Sequence, residues 1–260
     1  MHIVLSPAKS LDYERAPVST VITQPQLMKD AAQLIRIARE LSEHDLMRLM
    51  DISPALAKLN RERFQNWREK PEKQGARQAI SAFNGDVYEG LDAHSLNLAA
   101  LDYLQQHLHI LSGLYGVLRP FDHLQAYRLE MGTALANPAG RNLYAFWGQK
   151  VTDVLNERMQ ADAGPVLINL ASDEYFKVVK AKYLRARLIT PVFLDWKSGK
   201  YKVISFYAKR ARGLMARYCA EHRLEQPQTL QAFDSDGYRY VPEESDETVW
   251  VYKRRLPGVE

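Results

Sequence analysis

Lys209, Arg210, Arg212 and Arg217 fall on one side when residues 208–219 are wound on a helical wheel at about 100° per residue. Ala208, Ala211, Leu214, Met215, Tyr218 and Cys219 fall within one arc on the other. Ammonium and guanidinium groups in such a row hold phosphate oxygens by charge and by N–H donation. Gly213 and Ala216 lie in the middle of the basic side, where small side chains would let a phosphate backbone approach the helix. With the helix starting at 208, Lys209 and Arg210 sit in its first turn, where the dipole disfavours cations and favours a bound anion. A solvated basic face is the other reading. Lys177, Lys180, Lys182, Arg185, Arg187, Lys197, Lys200 and Lys202 nearby favour a polyanion: residues 175–220 carry twelve Lys/Arg against one acid, Asp195. That stretch has a net charge of +11 in a chain whose total is +4, and such crowding weakens the compact state unless something anionic compensates it.

A second set could shape a pocket or do acid–base chemistry: Asp86, Tyr115, Arg119, Glu130 and Glu174. They stand in glycine turns and at the ends of apolar runs, where ligands of α/β folds collect, and Ser172 or Asp173 is placed to cap a helix after the apolar run 166–170. Two readings stay open. Either these residues line a small-ligand site, or they make turns, caps and ion pairs in which arginines neutralise Glu130 and Glu174.

Common catalytic signatures fail. Ser6-Pro-Ala-Lys9 and Lys197-Ser-Gly199 imitate two pieces of a penicillin-recognising serine hydrolase, but Ser6 ends a strand instead of starting a helix and no S-D-N follows. The P-loop, G-x-G-x-x-G, G-x-S-x-G and H-E-x-x-H patterns are absent. His107 and His109 are two apart, a spacing that puts them on different helix faces, so no metal site and no cofactor is expected. The single cysteine, Cys219, excludes an internal disulfide framework. No apolar run approaches membrane length and the amino terminus lacks a signal-peptide core, so a soluble cytoplasmic protein is expected.

The elements that must position these residues read as mixed α/β. The 260 residues are 46% hydrophobic and 25% charged, without repeats or linkers, which predicts a single α/β (mixed α+β) domain over 1–260 with a central mixed sheet. Residues 3–5 and 166–170 predict buried strands, 26–41 a helix, 79–88 a strand broken at Asn84-Gly85, 96–108 a helix, and 144–159 a further helix. Residues 191–196 and 201–207 predict a hairpin, followed by the basic helix, and 241–253 an acidic loop with a final strand. Residues 69–78 predict a surface loop.

The segment 45–67 has the layout of a helix-hairpin-helix, with Leu56, Ala57, Leu59 and Phe64 expected to pack inward. In such a unit the second helix's first N–H groups grip a phosphate, and Lys58, Arg61 and Arg63 would add charge. The usual hairpin glycines are missing and Pro54 removes a donor, so a plain αα-hairpin is an equal alternative.

Five ordered strings carry a family resemblance: SPAKSLDY at the amino terminus, AFNGDVYEGL at 82–91, LSGLYGVLRPFDHLQAYRLEMG at 111–132, NLASDEYFK at 169–177 and KRARGLMARY at 209–218. Together they resemble the YaaA family of bacterial peroxide-stress proteins. Ala126 departs from that pattern, standing where proline precedes Tyr-Arg-Leu-Glu-Met-Gly. The resemblance implies a role in oxidative stress linked to limiting free iron and to DNA repair, with DNA (duplex or branched, without sequence preference) held by a basic cleft and the helix-hairpin-helix. On this chain the cleft would draw on Lys9, Arg119, Arg128, Lys177, Lys180 and the 209–217 helix. No reaction comes with the resemblance. An enzyme acting on a phosphorylated ligand, nucleotide or damaged base through Asp86, Tyr115, Arg119, Glu130 and Glu174 is the rival expectation.

Overall fold

The computed structural model describes residues 1–70 and 76–256. Ile3, Val4 and Leu5 are inaccessible to solvent, so the first strand, His2–Leu5, is covered on both faces. That burial suits a continuous apolar run in a parallel sheet sandwiched by helices. The strand pairs in parallel with Leu108–Ser112 on one side and Val166–Leu170 on the other, Ile3 lying opposite both Leu108 and Ile168. Val166–Leu170 pairs with Arg187–Lys197, and that strand with Val249–Arg254, again in parallel. Antiparallel partners finish the edges. Gly116–Leu118 lies beside Leu108–Ser112, Arg239–Tyr240 beside Val249–Arg254, and Lys200–Lys202 folds back on Arg187–Lys197. The eight strands form the mixed central sheet that the sequence predicts.

The strand order positions the site. From His2–Leu5 the chain crosses to Leu108–Ser112 on one side, and it later enters Val166–Leu170 on the other. Connections that diverge to opposite sides leave a crevice beyond the carboxyl ends of the two strands between which the order switches.

Met28–Arg39 buries Ala31, Leu34, Ile35 and Ala38, the stripe expected from residues 26–41. Glu43–Met50 starts with a capping box: Asp45 N donates to Ser42 Oγ at 3.1 Å and Ser42 N donates to an Asp45 oxygen at 3.1 Å. Pro54–Asn66 follows as the second helix of the pair. Ala57 and Phe64 pack inward, but Leu56 and Leu59 are 36% and 39% exposed, contrary to expectation. Asn60 takes the inward position between them, its Nδ2 donating to Leu56 O at 2.8 Å. Arg39 seals the far end of this helix, donating to Phe64 O and Trp67 O at 3.0 and 2.6 Å.

Three elements differ from expectation. Residues 79–88 form a short helix, Ala79–Ala82, a two-residue strand, Phe83–Asn84, and the start of the helix Asp86–Leu91. Gly85, at φ 152°, makes the break. The helix expected over 144–159 is split by Gly148 (φ 53°) into Leu143–Trp147 and Lys150–Arg158. The hairpin turns at Ser198 and Gly199, both left-handed, and its ladder ends where Lys202 meets Asp195. The basic helix therefore begins three residues earlier than expected and spans Ser205–His222. The surface loop expected at 69–78 lies partly outside the described residues, at 71–75.

Candidate phosphate-binding cleft

Ser6 and Ser172 stand just past the two central strands that flank the reversal. Ser172 N donates to Ser6 Oγ at 2.9 Å, the two hydroxyls are 3.3 Å apart, and Tyr88 OH donates to Ser6 O at 3.1 Å. Ser172 is thus the N-cap residue of Asp173–Phe176 by position, while its backbone ties that helix to the first strand. The crevice widens into a cleft of about 360 Å³. Its walls come from four segments: Ser6 to Ser10, Asn84 to Val87, Ser172 with Glu174 and Tyr175, and Lys209 with Arg212.

Two glycines bring the basic helix to the cleft. A Cβ on Gly213 would lie 1.8 Å from Val87 O, and one on Gly90 would lie 2.2 Å from Arg210 O. Backbone meets backbone between Ser205–His222 and Asp86–Leu91. Gly213 and Ala216 are buried in that contact, so the small-residue centre of the basic side is not open to a phosphate backbone. The wheel gave their direction but not the helix that packs there. The earlier helix start also moves Lys209 and Arg210 into the second turn, beyond the orphan N–H groups, which removes the dipole argument for an anion beside them.

The four cations of this helix have different surroundings. Lys209 Nζ lies 4.0 Å from Asp86, and Arg210 Nε 3.2 Å from Asp236. Arg217 donates to Asp92 O and Ser95 Oγ at 3.2 and 2.7 Å and pairs with Glu221 at 2.8 Å, closing the end of Asp86–Leu91. Arg212 is half-buried, lines the cleft and has no hydrogen bond or ion pair to any described residue. Burial holds its guanidinium below the usual value, with Asp173 opposing that shift. A guanidinium keeps its proton at neutral pH, so a partly desolvated cation without a partner among the described residues faces the cavity.

Beside the cleft, a narrow niche is lined by Pro7, Ala8, Lys9, Tyr127, Arg128, Leu129, Glu130 and Tyr175. Lys9 and Arg128 both reach Glu130, each at 3.1 Å. Glu174 accepts from Gly132 N at 2.9 Å. Asp86 and Glu174 therefore share the cleft with Lys9, Lys209 and Arg212, while Glu130 and Arg128 line the niche beside it.

Tyr115 and Arg119 do not join them. Tyr115 is fully buried, its hydroxyl accepting from Trp67 Nε1 at 2.9 Å and Gln125 N at 3.2 Å, and burial pushes the phenol up to about 12. Arg119 follows Gly116–Leu118 and so lies at the amino end of the parallel strands, 3.4 Å from buried Asp122. The glycine turn before it reverses the chain, which sequence adjacency conceals. Lys177 is exposed with Nζ 5.0 Å from the Tyr144 ring centre, and Lys180 Nζ donates to Lys177 O at 3.3 Å; neither lines the cleft. Lys58 and Arg61 are exposed on Pro54–Asn66, whereas Arg63 lines a separate groove of about 320 Å³ with Trp67 and Gln125. At the start of that helix Pro54 has no N–H and Leu56 N is directed at Ser53 Oγ at 3.4 Å, which reduces the donors a phosphate would meet.

Ser6 and Asn84 were not singled out as site residues. A signal for Ser6 exists in the sequence, since it directly follows the apolar run 3–5 just as Ala171-Ser172 follows 166–170.

Residues 1–244 match the family described as peroxide stress protein YaaA. The chain belongs to that family. It is similar along nearly its whole length to UPF0246 proteins. One from Ralstonia nicotianae is 56% identical over 255 residues, covering 98% of this chain and 99% of the relative. Another from Janthinobacterium sp. is 54% identical over 256 residues, with the same coverage. A third, from Chromobacterium violaceum, is 56% identical over 254 residues, again covering 98% and 99%. For this YaaA-family chain, no helix among the described residues is long and apolar enough to cross a membrane. Among the same residues no group of three or more His, Cys, Asp or Glu side chains is arranged to hold a metal ion.

Proposed function

We propose that this peroxide-stress protein binds DNA at the cleft, seating backbone phosphate on Arg212 with Lys209 and Lys9, and so protects DNA or assists its repair in a response linked to limiting free iron. The observation that carries the proposal is Arg212, a half-buried cation at the strand-order reversal without a partner among the described residues. Ligands of open α/β sheets bind at such reversals, and charge-assisted N–H groups are the usual phosphate partners there. The exposed Lys58 and Arg61 of the helix pair would add backbone contacts at longer range.

Cys219, the single thiol, does not supply a peroxide-sensing reaction. It is fully buried and its pKa is pushed up to about 12, so almost none of it is the reactive thiolate.

A salt series on duplex, single-stranded and junction DNA tests the proposal. One phosphate in the cleft with one each at Lys58 and Arg61 gives a slope of log K against log salt of roughly −2 to −3. Lys209→Glu with Arg212→Glu removes most of the affinity in low salt. Salt-independent binding, or a double variant that binds like the wild type, refutes the reading.

A second reading uses the same cleft: an enzyme acting on a phosphorylated small ligand, nucleotide or damaged base. It is favoured by Asp86 and Glu174 lying in one concavity with the cations, where carboxylates could exchange protons with a bound base or sugar.

A further inference from the structure

Ser172 stands at a helix N-cap without doing what serine there usually does. Its backbone has the capping conformation, φ −73° and ψ 160°, yet its hydroxyl accepts no hydrogen bond from the N–H groups of Asp173–Phe176. Such a bond is the reason serine is favoured at this position. The hydroxyl is engaged by Ser6 instead: Ser6 Oγ donates to it at 3.3 Å and accepts from Ser172 N at 2.9 Å. Ser6 is fixed in turn by Tyr88 OH, which donates to its carbonyl at 3.1 Å. With the Ser6 proton committed to Ser172 Oγ, the Ser172 hydroxyl can only pass its own proton onward. That proton has no acceptor among the described residues, and both serines line the cleft.

The charges of the cleft leave work for such a donor. Lys9 is drawn to Glu130 at 3.1 Å and Lys209 lies 4.0 Å from Asp86, so of the three cations only Arg212 has no carboxylate partner among the described residues. A guanidinium fork can serve both non-bridging oxygens of a phosphodiester once. Each of those oxygens has a further lone pair, which a neutral O–H can serve. An O–H with a second hydroxyl donating behind it is polarised, and it donates more strongly than an isolated one.

We propose that Ser172 Oγ donates a hydrogen bond to a non-bridging oxygen of the phosphodiester held by Arg212, with Ser6 as the positioning residue that orients the hydroxyl. The cleft then grips phosphate by a neutral contact as well as by charge, and that share of the affinity survives in salt. The proposal rests on the phosphate reading above and adds to it the donor that a site with little net charge requires.

Anisotropy titrations of a labelled DNA duplex over a salt series, with wild type, Ser172→Ala, Ser172→Thr, Ser6→Ala and the double alanine variant, test it. Ser172→Ala weakens binding roughly tenfold or more at every salt concentration, the size of one hydrogen bond to a charged group. Its plot of log K against log salt runs parallel to that of the wild type, because a neutral donor releases no counterions. Its urea midpoint stays at the wild-type value, since no cap bond is lost. Ser172→Thr keeps the hydroxyl and restores the affinity. Ser6→Ala loses part of the same affinity, and the double variant binds no more weakly than Ser172→Ala, because both changes interrupt one relay. Wild type that binds with the expected salt slope while Ser172→Ala matches it overturns this inference alone. A loss that threonine does not restore, or that comes with a lowered urea midpoint, overturns it by making Ser172 a structural residue. Additive losses at Ser6 and Ser172 overturn the positioning role of Ser6. Failure of the wild type to bind any DNA overturns both proposals together.

Discussion

Gly213→Ala separates two accounts of the basic helix by the sign of its effect. If Gly213 sat on a solvated face, alanine would stabilise the helix by about 1 kcal/mol, the usual difference between the two residues in a helix interior. In the structure the new Cβ would lie 1.8 Å from Val87 O, whereas ordinary contact begins near 3.4 Å. The helices must then part by about 1.6 Å along that line, and the obstacle is a backbone carbonyl that no rotamer change can move. Overpacking of this kind costs about 3–4 kcal/mol, at the upper end for cores, because the same shift loosens Gly90 against Arg210 and the buried Ala208, Ala211 and Met215. Subtracting the propensity gain leaves a net loss of about 2–3 kcal/mol. Urea unfolding followed by far-ultraviolet circular dichroism would show a midpoint lowered by roughly 1 M with little change in slope. A midpoint at or above that of the wild type refutes the close helix contact, and with it the placement of Lys209 and Arg212 in the cleft.

Three further outcomes follow from the packing. At the amino ends of the strands, Arg158 Nη1 can only donate to His109 Nδ1 (3.1 Å), so His109 Nε2 donates to His2 Nδ1 (2.9 Å) and His2 Nε2 faces Asp162 (3.3 Å). Burial lowers His109 and His107 and takes His2 to about 4, so the unfolded chain binds protons that the fold refuses. The contribution is complete above about pH 6.5 and is lost as pH falls toward 4, with His2 alone removing roughly 2 kcal/mol by pH 5. Unfolding midpoints equal at pH 7.5 and pH 5 would contradict this. Arg217→Ala, which unseals Asp92 O and Ser95 Oγ, should cost about 1–2 kcal/mol in urea unfolding while leaving the salt slope of DNA binding intact; a changed slope would make it a phosphate contact instead. Arg254→Met strands the buried Asp195 carboxylate, now 2.7 Å from Arg254 Nε, with only Tyr238 OH at 2.8 Å, and should cost about 3–5 kcal/mol; a thermal midpoint within a degree of wild type would be inconsistent with that pair.

Much of the sheet was legible because a parallel strand buried on both faces must be apolar throughout, as residues 3–5 and 166–170 are. What could not be read was anything decided by a distant neighbour. Ala79 to Ala82 and Phe83 to Asn84 offer periods too short to separate strand from helix, and Gly148 marks a break only through its left-handed backbone. Asp86, Glu130 and Glu174 were found as pocket residues because each follows a strand end or turn, whereas Tyr115 and Arg119, picked by the same criterion, went elsewhere. The turn at Tyr115 points its side chain into the core toward Trp67, and the following strand carries Arg119 to the opposite end of the sheet.

The charge segregation in the sequence is partly undone in space. Acids from outside residues 175–220 come to meet its cations: Asp86 faces Lys209, Asp236 faces Arg210, and Asp92 and Glu221 hold Arg217. Arg187 donates to Glu247 O. A net +11 along the chain is therefore a poor guide to the field that a ligand meets. In the cleft the charged groups are Lys9, Lys209 and Arg212 against Asp86 and Glu174, a margin of one positive charge. One phosphodiester carries one negative charge, so the cleft matches a single backbone unit better than a nucleoside triphosphate, whose several charges would be repelled by the two carboxylates. Those carboxylates also give the site hydrogen-bond acceptors that a simple phosphate track lacks, and acceptors are what the amino groups of an unpaired base require.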